Sequence, residues 1–187
     1  MKHILLSFLT VLLVGCSTVT PAIKRSTTAI TSESIVWTQS FRSDTEKNSY
    51  HATIKIPDNS ITGLCFMKKS GDEWRGTFMN EMGAKAFDFI ITNDKCELLN
   101  VISLMDKWYI KKTIAADLNY LFNVDNPDAS FYKKIERFEQ DGNLFINYKK
   151  KQIIVEPDGA ILLINNRHKL QYQLRKMVEI DPDKVIM

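Results

Sequence analysis

The sequence predicts an α+β protein that is mainly β: a curved antiparallel sheet closing on itself, with a helix laid over its open side. Three observations predict it. Short runs with period-two alternation are separated by turn residues at intervals of roughly ten, the rhythm of an antiparallel meander. One stretch, residues 104–122, has neither Gly nor Pro and carries apolar residues at helical spacing. Several strands are apolar on both faces, so the sheet needs cover on both.

The chain opens on Lys2 and a run, residues 4–14, that is apolar but for Ser7 and Thr10. Such a run is too short to span a bilayer and fits the core of a secretion signal. It ends in Leu13-Val14-Gly15-Cys16, which resembles the lipobox of bacterial lipoproteins. Leu13 takes the apolar position, Val14 and Gly15 precede the cut, and Cys16 is the lipid-attachment residue. The resemblance implies that residues 1–15 are removed and that Cys16 carries three acyl chains, of which two already anchor stably. Ser17 follows, where an Asp would retain a lipoprotein in the inner membrane. Residues 17–20 carry no acid, so the expectation is the periplasmic face of the outer membrane. Residues 17–34 are rich in Ser and Thr and have no apolar period, as in a flexible tether.

A single domain is expected over residues 35–181, starting with a strand at 35–41. Tyr50, Ala52, Ile54 and Ile56 then alternate with His51, Thr53 and Lys55. Strands at 61–69, 73–80, 85–92 and 96–102 follow, parted by turns at Ser70-Gly71-Asp72, Met82-Gly83 and Asn93-Asp94. In residues 104–122 the apolar spacing runs Leu104, Trp108, Ala115, Leu118, Phe122, with Lys107, Lys111, Lys112 and Asp117 mostly on the other side. This is an amphipathic helix of about five turns. Strands return at 131–138, 143–149, 152–155, 160–165 and 170–178, with a hairpin signal at Asp141-Gly142. The C-terminus, 182–187, follows Pro182 and reads as loose.

The segment Trp74-Arg75-Gly76-Thr77-Phe78, then Asn80-Glu81-Met82-Gly83-Ala84-Lys85-Ala86-Phe87-Asp88-Phe89, with the helix start Met105-Asp106-Lys107-Trp108-Tyr109-Ile110-Lys111-Lys112, resembles envelope lipoproteins of the LolA/LolB fold. The resemblance covers most of residues 35–122. It implies a strongly curved half-open β-barrel with a helical lid over an apolar cavity that takes acyl chains or lipoprotein cargo. Leu64, Phe66, Phe78, Phe87, Phe89 and Trp108 are the expected cavity residues. The loops at 57–60 and 70–72 are polar, unlike the apolar loop tip of the family's receptor type.

Composition narrows the function. The formal charge is +3 over the whole chain and the signal removes only Lys2, a near balance that argues against nucleic acid. His51 and His168 sit in no catalytic motif, so no enzyme and no cofactor are expected. Asp88, between Phe87 and Phe89, needs a partner if buried, and a structural ion pair is favoured over catalysis. Cys65 and Cys96 lack the paired short spacing of a metal site. In an oxidising compartment they form a disulfide only if the strands bring them together; otherwise they are buried thiols. Trp37, Trp74 and Trp108 read as core anchors, and Lys133-Lys134 and Lys149-Lys150-Lys151 as solvated turns that also suit anionic lipid. The leading expectation is a monomeric, membrane-anchored protein that binds an acyl ligand. The alternative is a non-catalytic envelope interaction module of the same fold.

Overall fold

Ten strands pair edge to edge in one open antiparallel sheet in the computed structural model, which describes residues 47–177. The expected signal, Cys16, the tether, the strand at 35–41 with Trp37, and the C-terminus 182–187 lie outside the described residues. The strands are β1 (Lys47–Ile56), β2 (Asn59–Ser70), β3 (Glu73–Asn80), β4 (Lys85–Ile91), β5 (Cys96–Leu99), β6 (Glu136–Gln140), β7 (Asn143–Tyr148), β8 (Lys151–Val155), β9 (Ile161–Asn165) and β10 (Leu170–Lys176). One α-helix, α1 (Trp108–Phe122), separates β5 from β6.

The spatial order β5-β4-β3-β2-β1-β10-β9-β8-β7-β6 is two five-stranded meanders joined where β1 pairs with β10. Chain neighbours pair because the turns between them are short and built from the right residues. Asp141 and Gly142 both have positive φ, 52° and 77°, which a two-residue turn between Gln140 and Asn143 requires. At Pro57-Asp58 proline presets the first turn position and Asp58 takes φ 65°. The outermost strands, β5 and β6, have four and five residues. Short edges offer little template for unwanted pairing.

Alternation sends one side chain set to each face. Tyr50, Ala52 and Ile54 of β1, Cys65 and Met67 of β2, Phe78 of β3, and Phe87, Phe89 and Ile91 of β4 are buried on the face that α1 covers. Leu144 and Ile146, Ile153 and Val155, Ile161 and Leu163, and Tyr172 and Leu174 continue that layer through β7 to β10. One core therefore runs across both meanders.

Several elements are shorter than their sequence pattern. The expected strand at 96–102 stops at Leu99 because Asn100 turns to φ 51°. The expected five-turn helix is a short 3-10 turn, Ser103–Met105, then an extended Lys107, then α1. Asp106 breaks the run; it pairs with Lys111 at 2.7 Å, and aspartate favours such caps and turns over helix interiors. The expected strand at 131–138 starts as a 3-10 turn, Tyr132–Lys134. Arg137 fixes it there, donating to the Val124 carbonyl at 2.7 Å and lying 5.1 Å over the Tyr132 ring.

Candidate functional site

Two surfaces compete as a binding site, one under α1 and one on the opposite face of the sheet. Under the helix, Phe78, Phe87 and Phe89 come together as expected. Phe78 stacks on Phe87 at 5.4 Å, and Phe89 on Phe122 of α1 at 6.1 Å. The space left is about 20 Å³, lined by residues that include Ala52, Cys65, Phe87, Leu118 and Tyr172. Pockets that take small ligands are on the order of 300–1,000 Å³. With α1 in place this interface is a packed core.

Polar groups hold α1 down at two points. Asp117, fully buried on the inner face of the helix, meets Lys151 Nζ at 2.7 Å. Asn165 Nδ2 donates to both its oxygens and the Tyr172 hydroxyl to one, each at 2.9 Å. Burial first, and the Asp117 charge second, push the Tyr172 hydroxyl far above the usual tyrosine range. Lys151 also donates to the Ala116 carbonyl at 2.8 Å. At the end of α1, the Asn119, Asn123 and Asn126 amides donate to the carbonyls of Asp94, Thr92 and Asn93, between β4 and β5. Asp117, expected on the outer face, is thus an inner-face residue. The clue was its place in the stripe Ile114, Asp117, Leu118, Leu121.

The other expected cavity residues lie elsewhere. Leu64 and Phe66 alternate with Cys65 and so point away from α1. Trp108 is 73% exposed, neither core anchor nor cavity wall, because burial on α1 begins only at Ile114. Trp74 is buried as expected. His51 and His168 are exposed.

The far face carries a wide groove of about 1080 Å³. Its floor follows the cross-strand row Ser49, Phe66, Thr77, Asp88, Leu99, bordered by the row Lys47, Lys68, Arg75, Ile90. Phe66 is 37% exposed. Lys68, Arg75 and Arg175 rim the groove, Arg75 pairing with Glu73 at 3.2 Å and Arg175 with Asp158 at 3.0 Å. Partial burial would raise the Asp88 carboxyl, but hydrogen bonds from Asn100 at 2.7 Å and Lys85 at 3.0 Å outweigh it and hold the group below its ordinary range. Asp88 thus has the ion-pair partner that its place between Phe87 and Phe89 called for, Lys85.

The cysteines do not meet. Cys65 is on β2 and Cys96 on β5, with β3 and β4 between them and four residues of register offset, beyond the reach of a disulfide. Of the two alternatives the structure has the free thiols, each pushed by burial up to about 12. At pH 8 that leaves on the order of 1000-fold less thiolate than an ordinary cysteine. Alkylation of Cys65 and Cys96, read by peptide mass, is expected to be slow in the native protein and normal in urea. Rapid native alkylation would contradict this burial.

No protein-family model and no curated protein matches the chain. Among the described residues no helix is long and apolar enough to cross a membrane, and no three His, Cys, Asp or Glu side chains cluster as metal ligands.

Proposed function

We propose that the protein is a membrane-anchored envelope lipoprotein of LolA/LolB-like architecture that binds an acyl-chain amphiphile, in the handling of outer-membrane lipid or lipoprotein. The observation that carries this reading is the far-face groove. It combines an apolar strip, Phe66, Ile90 and Leu99, with a cationic rim, on a scale that suits a long acyl chain bearing an anionic head. In this reading the sheet is a half-open barrel, and α1 is the closed lid over its filled side. The second reading, a non-catalytic interaction module, draws support from that filled side, where about 20 Å³ remains.

The test is photolabelling of the full chain with a diazirine fatty acid, with adducts mapped by mass spectrometry. Adducts are expected on β2 and β5 around Phe66 and Leu99. Phe66→Asp is expected to cut their yield about tenfold, the scale of losing one buried aromatic contact. Adducts on Phe78, Phe87 or the inner face of α1 would move the ligand under the lid. Labelling that appears only after deletion of residues 17–41 would assign the groove to the chain itself. No adducts in the folded protein would leave the interaction module.

A further inference from the structure

The start of α1 carries an unburied apolar cluster. Leu104, Trp108 and Tyr109 are 55%, 73% and 50% exposed. The two rings pack edge to face, with centroids 6.1 Å apart, and both remain half exposed or more. Lys107, Lys111 and Lys112 are interleaved with them; the one acid within residues 104–112, Asp106, is taken up by Lys111 at 2.7 Å, and Glu73 and Glu97 border a pocket with Lys111 and Lys112, which leaves Lys107 facing neither. The helix has no side-chain N-cap and no acid in its first turn. Its positive dipole end therefore adds to the lysine charge.

We infer that this cluster is a contact surface for an anionic lipid bilayer. Tryptophan and tyrosine favour the head-group layer, where an apolar ring and a polar N–H or O–H are both accommodated. Lysines interleaved with them meet lipid phosphates, as basic residues beside a membrane do. A protein partner would be expected to bury apolar surface with few charges at its centre, whereas here cations alternate with rings. The surface is separate from the far-face groove and does not depend on it. Contact here would set the orientation of a domain held near the membrane.

The test uses the full lipidated chain reconstituted in phosphatidylethanolamine–phosphatidylglycerol vesicles with bromine on the upper acyl chains, which quenches tryptophan at that depth. Flotation with the vesicles reports the lipid anchor separately from the patch. Trp37 is replaced by Phe throughout, so that only Trp74 and Trp108 report; quenching is expected with Trp108 present and largely lost in Trp108→Phe, because Trp74 is buried. Lys107→Glu with Lys112→Glu is expected to lower quenching about threefold in these vesicles and little in neutral phosphatidylcholine. Equal quenching in the chains with Trp108 and with Trp108→Phe, or none in the floated protein, would overturn the inference.

Discussion

Asp117→Ala is expected to destabilise the fold by about 3 kcal/mol or more, a large share of the stability of a domain this size. The carboxylate accepts from Asn165 and Tyr172 and pairs with Lys151, and all but Lys151 are almost wholly buried. Removing it orphans a buried amide and a buried phenol, at about 1–3 kcal/mol each. Lys151, 19% exposed, can swing toward solvent and so adds less. Asp117→Asn keeps the volume but sets an amide against Asn165 and Lys151, and should fall between. Urea denaturation measures both. A double-mutant cycle with Tyr172→Phe should show coupling of about 1 kcal/mol or more. An Asp117→Ala loss under about 1 kcal/mol would mean the network relaxes around the gap. The outcome also bears on the proposed reading of α1 as a lid, which would lift only with this network broken.

The parts of the fold that were legible in the sequence are those set by local chemistry. Asp141-Gly142 announces a tight turn because that backbone demands particular residues, and the turn is there, while the break read at residues 57–60 is a shorter turn, with β2 already starting at Asn59. Alternation placed Phe87, Phe89 and Ile91 on one face and Asp88 and Ile90 on the other, as the strand register has them. What depends on the far-apart chain was illegible. Strand β2 is apolar on both faces, so nothing local says whether Cys65 and Met67 or Leu64 and Phe66 meet the helix. That is decided by pairing with β1 and β3. Trp108 falls on the apolar side of the helical pattern, yet it lies about 21 Å along the axis from Phe122, beyond the point where α1 is covered. A pattern fixes direction around a helix and is silent on where its cover ends. The groove was hidden for the same reason: its floor crosses five strands, and the polar rows that rim it read singly as solvated faces.

Gly63→Ala is expected to cost about 3 kcal/mol or more, seen as a fall in melting temperature of about 10 °C or more. Gly63 is in β2, opposite Asn80 of β3 and Ala52 of β1. A Cβ there would lie 1.9 Å from the Met79 carbonyl oxygen and 2.7 Å from the Asn80 Cα, both backbone atoms of β3. No rotamer change relieves that, so β3 must move by more than an ångström. It is poorly free to do so. The pairing of β3 with β4 already shifts by one residue between Phe78 and Met79, leaving Ala86 unmatched, and Phe78 one residue away is locked against Phe87 in the core. The shift and the glycine belong together, since the turned backbone of β3 comes so close to β2 only where a side chain is missing. Gly71, in the β2–β3 turn, is the control. A Cβ there meets open space, but φ is 63°, so alanine is strained by about 1 kcal/mol while asparagine is tolerated. The two glycines thus separate by their rescue. Gly71→Asn should melt close to the native protein, and no substitution at Gly63 should. A Gly63→Ala protein melting within about 2 °C of the native one would show that β3 has room to withdraw, and that its close approach to β2 is not required by the fold.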